Sequence, residues 1–423
     1  MLLRELFLFD AKAKPAGDPD SMEKYGRPFN HPEHFVFFKG ASGTLEALNH
    51  FKEAAAEAAG KTTLRRKWDG NPQVYWGRET KNGPLILAGH NQWSRGVKSD
   101  NPQDVYDFIA NKSGNPKTPE DAKKRQAFAT NFSNLYPLFD AATPKDFVGF
   151  VYADALFGVD PALDKKLTPP QGVYEKGIWE FSPNPLSNTT YHVDADPSKS
   201  KLGARIAQAK VMVVGHATFP SFGADDKTQV PKDNFDEFNR TPGLIVQGPI
   251  YTDEAPAADM SPIDGMIEYV NQHGAVIDSF LGSLPDADKN GIFYPFFNAM
   301  SNQHANNEID FNSLSGQDFE AWMLKKGVSA PKQAHIIAMV KAHPGGLDGI
   351  LHLIKGIRNM KDAVDAAIKQ QPRKEIWDTN GEGHVRYAQP HHKYGNIKIV
   401  PTTWAPGKKP AAPQPAVAPE TPQ

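Results

Sequence analysis

The sequence predicts an α+β protein in which strand-forming segments lie on both sides of a mainly helical block. Residues 63–68 (TLRRKW) alternate apolar and basic side chains, a period typical of a strand. From about residue 262, apolar residues instead recur with helical spacing. Strand-like segments return at 384–387 and 396–400, so the helical block interrupts a chain that otherwise forms sheets.

The first elements are predicted from capping residues and turn residues. Thr44 can cap a helix that Gly60 ends. The strand at 63–68 leads into an Asp-Gly-Asn-Pro turn at 69–72, which is a strong chain-reversal signal. Further strands are expected at 73–76, 85–88, 147–157, 210–216 and 243–251, and a helix at 118–140.

The second half is predicted to be helical until the last strands. One helix begins near 262, and others follow at 317–327, 331–343 and 347–370. Residues 405–423 are rich in proline and alanine and are expected to form an extended, disordered tail.

Composition excludes several classes of protein. The chain of 423 residues has 47 Lys and Arg against 49 Asp and Glu, a total that does not indicate nucleic-acid binding. It has no cysteine, which excludes disulfides, thiolate metal sites and cysteine nucleophiles. No apolar stretch approaches the roughly 20 residues of a membrane span. We therefore expect a cytoplasmic protein without membrane association.

The most informative segment is Arg65-Arg66-Lys67-Trp68-Asp69-Gly70. Neighbouring positive charge and partial burial disfavour the ammonium form of a lysine, so Lys67 can serve as a nucleophile. The alternative is a solvated basic strand edge. If the Lys-x-Asp-Gly match were the only observation, this alternative would be preferred, because so short a match arises by chance.

Four more segments follow in a fixed order. They are Ser94-Arg95-Gly96, Tyr152-Ala153-Asp154-Ala155-Leu156, Glu382-Gly383-His384-Val385 and Lys398 within Ile397–Val400. Together with Lys67-Trp68-Asp69-Gly70, this order resembles the covalent nucleotidyltransferase superfamily, which comprises the ATP-dependent DNA and RNA ligases and the mRNA capping enzymes. The resemblance covers roughly 61–218 and 376–404.

Within that superfamily, the chain looks closest to ligase-like proteins of tailed bacteriophages. These carry a Lys-Trp-Asp-Gly-x-Pro element, here completed by Pro72, and a stretch similar to Phe181-Ser182-Pro183-Asn184. They also carry a strand that ends in histidine, as 210–216 does here. If the protein is phage-encoded, the host cytoplasm is its expected location.

The resemblance implies a ligase-like fold of two packed antiparallel sheets with flanking helices and the nucleotide in the groove between the sheets. Residues 1–218 and 376–404 would form the nucleotidyltransferase domain, and 219–375 a mainly helical insertion. No OB-fold is expected, because too few residues follow Lys398 for a five-stranded barrel.

The resemblance also implies residue roles. Lys67 would attack the α-phosphate of ATP and form a lysyl-AMP, within a catalytic motif that includes Asp69 and Gly70. The other implied catalytic residues are Arg95, Glu382 and Lys398. Nucleotide contacts are expected from Arg66, Ser94, Arg95, Asp154, Phe181 and Lys398.

Asp154 and Glu382 are the expected carboxylates for Mg²⁺, or Mn²⁺ in its place. Asp154 has a competitor for the acidic position of its strand, since Gly149-Phe150 resembles the usual Gly-Glu pair without its carboxylate. Phe181 or Trp179 would stack on the base, although core packing is the commoner role of such rings.

The expected acceptor is a 5′-phosphorylated nucleic-acid end. RNA is favoured over nicked duplex DNA because Pro72 replaces the arginine usual in cellular DNA ligases and because no OB-fold is expected. Three alternatives stay open: a GTP-dependent capping-type enzyme, transfer to a protein or small molecule, and a non-catalytic phage binding or structural protein.

Charge and histidine patterns complete the sequence-based expectations. Residues 61–98 contain eight Lys/Arg and two acidic residues, and 371–404 contain five and three, so the motif segments are basic. His391 and His392 lack the helical spacing and the third ligand of a zinc site, and we interpret them as loop residues.

Overall fold

The structure, a computed structural model, describes residues 31–403 except for 69, 115, 117, 160–164, 169–177, 183–188, 195, 225–227, 372–375, 380–382 and 387–390. Two of the predicted site residues, Asp69 and Glu382, lie outside the described residues, as does the tail predicted at 405–423.

Helices make up most of the described chain from Ser261 onward and also begin it. They are α1 (Pro32–Ala56), α2 (His90–Ser94), α3 (Pro102–Asp107), α4 (Pro119–Asn134), α5 (Tyr136–Ala142), α6 (Lys201–Ile206), α7 (Ser261–Ser283), α8 (Asp286–Asp288), α9 (Tyr294–Ala305), α10 (Gly316–Lys326), α11 (Ala330–Ala342) and α12 (Gly346–Lys369).

The strands lie before and after the main run of helices. They are β1 (Leu64–Arg66), β2 (Gln73–Arg78), β3 (Ile86–Gly89), β4 (Gly149–Phe157), β5 (Lys165–Thr168), β6 (Ile178–Ser182), β7 (Thr190–Asp194), β8 (Val211–Phe219), β9 (Val230–Pro231), β10 (Leu244–Gln247), β11 (Ile376–Thr379), β12 (His384–Arg386) and β13 (Ile397–Ile399).

These strands form three sheets. A six-stranded sheet has the order β10-β8-β4-β2-β3 with β9 added to β8, a four-stranded sheet has the order β11-β7-β6-β5, and a three-stranded sheet has the order β1-β12-β13. β10 runs parallel to β8, and the other pairs are antiparallel. The predicted α+β class is confirmed, but the described residues form three sheets, one of them mixed, in place of two antiparallel ones.

The central strand β4 shows why the six-stranded sheet has two different faces. Val151, Ala153 and Ala155 point into an apolar core that the side chains of α3, α4 and α5 complete. Phe150 and Leu156 are buried on the opposite side, in two other clusters. Tyr152 and Asp154 lie between them on that second face, because side chains alternate along a strand.

Helix α1 begins at Pro32 and not at the predicted Thr44. The helix instead kinks at Gly40, whose φ of 60° and ψ of −142° leave the helical region. Asp278 of α7 accepts a hydrogen bond from the Ala41 N–H at 2.8 Å. A Cβ at position 40 would lie 2.0 Å from the same carboxylate oxygen. Glycine at this position therefore leaves room for Asp278 and also permits the positive φ of the kink.

The helical segment shares its core with the three-stranded sheet. Apolar residues of α1, α7 and α12 form one buried cluster with Leu64 of β1 and with Ile397 and Ile399 of β13. Beyond the boundary predicted at residue 219, β10 pairs within the six-stranded sheet, and the Thr252 N–H donates to the Leu64 carbonyl at 3.0 Å. Among the described helices, none is long and apolar enough to cross a membrane.

A buried ion pair joins the start of α1 to α12. Lys361 Nζ lies 2.7 Å from Glu33 Oε1, and both side chains are almost fully enclosed. Burial alone would raise the pKa of the Glu33 carboxyl, but the Lys361 ammonium outweighs it and, with nearby histidines and Arg358, holds that pKa well below its usual range. The folded state therefore depends on both partners.

We predict that Lys361→Met lowers the free energy of unfolding at pH 7 by about 3–5 kcal/mol, because Glu33 stays buried without its partner. The matched control is Lys52→Met in the exposed Lys52–Asp264 pair, where we expect less than about 1 kcal/mol. Urea unfolding measures both. Equal losses in the two variants would contradict the prediction.

The same pair makes stability depend on pH. Since the pKa of Glu33 is lowered on folding, its contribution is present above its unfolded value of about 4.3 and is lost as pH falls further. The double variant Glu33→Gln, Lys361→Met lacks this component, so its stability should fall less than that of the wild type between pH 5 and 3. A parallel decline would contradict the prediction.

Candidate functional site

The turn that follows Lys67 lies directly against the middle of β4. The Asn71 N–H donates to the Ala155 carbonyl at 2.9 Å, and the Ala155 N–H donates to the Pro72 carbonyl at 2.9 Å. A Cβ on Gly70 would lie 2.6 Å from Asp154 Cβ and 2.7 Å from Ala155 O. Glycine is therefore required at 70 by the close approach of the turn to Asp154.

A second main-chain contact brings the segment around Gly383 to Lys67. The Lys67 N–H donates to the Gly383 carbonyl at 2.9 Å. Gly383 has a φ of +95°, and a Cβ there would lie 2.2 Å from the Ile399 carbonyl oxygen. The nucleophile motif and the Glu-Gly motif are therefore neighbours in the fold, although Glu382 itself lies outside the described residues.

Strand register places the predicted lysine of the last motif on the same sheet. Arg65 on β1 is opposite Val385 on β12, which is opposite Lys398 on β13. These three residues form one row across the sheet, and Lys398 is half-buried. The strand that leads to Lys67 and the strand that carries Lys398 are thus separated by β12 alone.

Asp154 has a histidine partner to which we gave no role in the sequence. His216 Nε2 on β8 lies 3.1 Å from Asp154 Oδ2, while Asp154 Oδ1 is buried without a hydrogen bond. The Tyr152 ring lies 5.0 Å from the His216 ring. A buried carboxylate oxygen without a partner is energetically costly. The Oδ1 atom of Asp154 is therefore available to accept a hydrogen bond from a ligand or to coordinate a cation. The available signal for His216 was the strand ending in histidine.

Arg66 contacts a strand of the four-stranded sheet. Its Nε lies 3.1 Å from Asp378 Oδ2, and its Nη1 donates to the Ile376 carbonyl at 2.9 Å. Both partners lie on β11. The guanidinium therefore already bridges β1 to β11, and phosphate binding would have to compete with an ion pair.

Ser94 and Arg95 lie at the exposed end of α2. Arg95 donates to the Lys112 carbonyl at 3.0 Å, and its guanidinium lies 6.0 Å from the Phe108 ring. Trp93 separates this pair from the sheet, because its ring stacks on Tyr75 and Tyr75 stacks on Tyr152. The structure thus connects these two residues to Asp154 only through a row of rings.

Phe181 is a core residue in this structure. Only 2% of it is exposed, and it packs with Trp179, Tyr191 and Trp68 in the cluster between the six- and four-stranded sheets. The space between these sheets is filled by side chains at this point. Trp68, the residue after Lys67, packs in the same core, with its ring 4.8 Å from that of Tyr191.

His384, next to Gly383, is buried and neutral. Burial lowers the pKa of its imidazole to about 3, and the positive charges of Arg66 and Lys369 add to the effect. Its Nδ1 lies 3.9 Å from Asp365 of α12, which is paired with Lys369 at 2.6 Å. A polar network of the helical segment therefore reaches the Glu-Gly motif.

Comparisons with protein-family models, curated proteins and solved structures find no significant match to this chain. Main-chain contacts and strand pairing bring the segments of Lys67, Asp154, Gly383 and Lys398 together, so these neighbouring segments carry an amine, a carboxylate and a second cation. Such a set suits a ligand that carries both phosphate and a bound cation.

We predict that Gly70→Ala destabilises the fold by about 1–3 kcal/mol, because the added methyl overlaps Asp154 and the β4 backbone. Gly265→Ala on α7 is the control, since its Cβ would meet no atom within 4 Å and alanine favours the helix. Thermal unfolding should show a lower midpoint for the first variant and an equal or higher one for the second. A Gly70→Ala variant as stable as the wild type would contradict the close approach.

Proposed function

We propose that this protein is an ATP-dependent, ligase-like nucleotidyltransferase that forms a lysyl-AMP at Lys67 and joins 5′-phosphorylated nucleic-acid ends. One observation supports this above the others. The turn after Lys67, Asp154 on β4, Gly383 and the strand of Lys398 are far apart in the chain but adjoin in the fold. Four of the five motif segments therefore come together in the fold, which supports the proposal, whereas Ser94 and Arg95 lie behind a row of aromatic rings.

In the proposed reaction, the neutral amine of Lys67 attacks the α-phosphorus of ATP. A nitrogen–phosphorus bond forms, the bond to the β-phosphate oxygen breaks, and pyrophosphate leaves. A 5′-phosphate oxygen of the acceptor then attacks the same phosphorus and releases the Lys67 amine. Attack by a 3′-hydroxyl on the activated 5′-phosphate completes the joining and releases AMP.

The chain contributes position and charge to these steps. Main-chain hydrogen bonds fix the backbone of Lys67 and of the turn after it, at Gly383 and Ala155 respectively. Lys398 provides positive charge on β13, which β12 separates from the strand that leads to Lys67. Because the leaving pyrophosphate gains negative charge, a cation that reaches it stabilises the transition state more than the ground state.

Asp154 fits the role of a magnesium ligand. Its Oδ1 has no hydrogen-bond partner, and Mg²⁺ commonly takes one or two carboxylates together with phosphate oxygens and water. When bound, Mg²⁺ or Mn²⁺ supplies neutralisation of the phosphate charge. His216 holds the other oxygen of Asp154 and so orients the carboxylate.

One observation favours the alternative that the chain retains this arrangement without turnover. Arg66 and Arg95 already donate to protein groups, and Phe181 is enclosed in a core. A binding or structural protein with these motifs would need no accessible base-stacking ring. Labelling of the lysine discriminates between the two functions.

The decisive experiment is incubation with α-labelled ATP and Mg²⁺, followed by denaturing electrophoresis. We expect an acid-labile label on the wild type, none on Lys67→Ala, and full labelling of the control Lys61→Ala, an exposed lysine six residues earlier. GTP in place of ATP tests the capping alternative. Absence of label with both nucleotides, or label on Lys67→Ala, would rule out the enzymatic proposal.

We further predict that Lys398→Ala, Glu382→Ala and Asp154→Asn each reduce the rate of label formation by at least about 100-fold, the size expected when one electrostatic contact is lost. Lys393→Ala, an exposed lysine shortly before β13, should label normally. Circular dichroism should show the wild-type fold in all four. Normal labelling by any of the first three would remove that residue from the site.

A further inference from the structure

A polar stripe on α1 receives the connection between β12 and β13. Its residues recur every three or four positions: Ser42, Glu46, His50 and Glu53 lie on the helix, and Glu57 follows its last residue. The Glu46 carboxylate accepts the N–H groups of Lys393 and Tyr394 at 2.9 and 2.6 Å. Ser42 Oγ and Tyr394 Oη lie 2.7 Å apart. This part of the connection is therefore fixed on the helix.

Two imidazoles of the connection converge on one carboxylate of the helix. His391 Nε2 lies 2.7 Å from Glu53 Oε1, and His392 Nε2 lies 3.2 Å from Glu53 Oε2. One ligand atom from each residue lies within 4.8 Å of the other two. Glu53 thus adds a third group of the type that binds metal ions to the two histidines, and its position next to them could not be read from the sequence.

Neighbouring groups hold this cluster in place. Arg386 Nη2 donates to Glu53 Oε2 at 3.0 Å and to Glu57 Oε1 at 3.2 Å. The ring of His50 stacks on that of His392 with 3.6 Å between centroids. Partners that orient a carboxylate and an imidazole in this way are typical of the surroundings of bound metals.

We propose that Glu53, His391 and His392 bind a divalent transition-metal ion of the zinc class, with water completing the coordination. Two imidazole nitrogens and one carboxylate oxygen are the donor set of many zinc sites, and imidazole disfavours Mg²⁺ and Ca²⁺ relative to zinc, cobalt or nickel. The site is distinct from the region of Lys67 and Asp154 and does not depend on the proposed function.

The three ligand atoms are close enough for one metal ion after a small rearrangement. Ligand atoms about 2.0–2.1 Å from a zinc ion lie about 3.3 Å from one another in a tetrahedron, and here one ligand atom of each residue lies within 4.8 Å of the other two. The two short contacts are made to different oxygens of Glu53, from His391 to Oε1 and from His392 to Oε2. The His391 side chain is 64% exposed, so it is free to turn toward a shared ion.

Access to solvent also fits a metal ligand. Glu53 and His391 both reach solvent, which provides a path for the ion.

The test is titration of the full-length protein, freed of metal by a chelator and desalted, with Co²⁺. We expect one equivalent to bind with visible absorption bands typical of low coordination number, and an excess of Mg²⁺ not to displace it. His391→Ala should weaken Co²⁺ binding by at least about 100-fold, since loss of an outer partner alone costs 10–100-fold. The control His335→Ala, an exposed histidine of α11, should bind like the wild type.

Isothermal titration with Zn²⁺ gives a second reading. Glu53→Gln should reduce the affinity for Zn²⁺ as His391→Ala does. We also expect Zn²⁺ to raise the thermal unfolding midpoint of the wild type, and this rise should be absent in both variants. No binding by the wild type up to 100 μM metal, or equal affinities for wild type and His391→Ala, would overturn the proposal. Loss of binding in His335→Ala would do so as well, because it would indicate non-specific histidine contacts.

Discussion

The close approach of the Gly70 turn to the backbone of β4 is the constraint on which the rest of the site depends. It leaves no room for a side chain at 70, and it seats the turn after Lys67 beside Asp154 through two hydrogen bonds with Ala155. The Lys67 N–H is in turn held by Gly383, another glycine that no larger residue can replace. Main-chain hydrogen bonds thus hold Lys67 at Gly383 and the turn after it at Ala155, so the candidate site is positioned by the backbone on both sides.

Much of this fold could be predicted from local patterns. The strands at β1, β2, β3, β4, β8, β10, β12 and β13 and the helices from α10 to α12 are predicted within a few residues, because alternation and helical period are local signals. The four strands of the four-stranded sheet, β5, β6, β7 and β11, were missed, as was the short β9. The conformation of β11 depends on pairing with β7, a partner distant in sequence. The start of α1 was misplaced because Thr44 is a favourable capping residue, whereas the helix begins earlier and passes through a kink at Gly40 that Asp278 stabilises.

The site was predictable in its order but not in its contacts. Motif spacing led to Lys67, Gly70, Asp154 and Lys398, whereas pairing partners such as His216 and Glu53 lie on other elements that only the fold brings close. The concentration of basic residues in the motif segments was a weaker guide. Arg66, Arg78, Lys98 and Arg386 are all paired with carboxylates in the structure. A count of charges therefore overstates the positive potential available for phosphate.

The helical segment is part of the same folding unit as the motif strands. Leu64, Ile397 and Ile399 are fully buried in one apolar cluster with residues of α1, α7 and α12, so the strand before Lys67 and the strand of Lys398 pack against the helices. Asp365 of α12 approaches His384, and Glu53 of α1 contacts His391. Because strands on both sides of the helical segment share this core with it, the helices support the candidate site as well as their own packing.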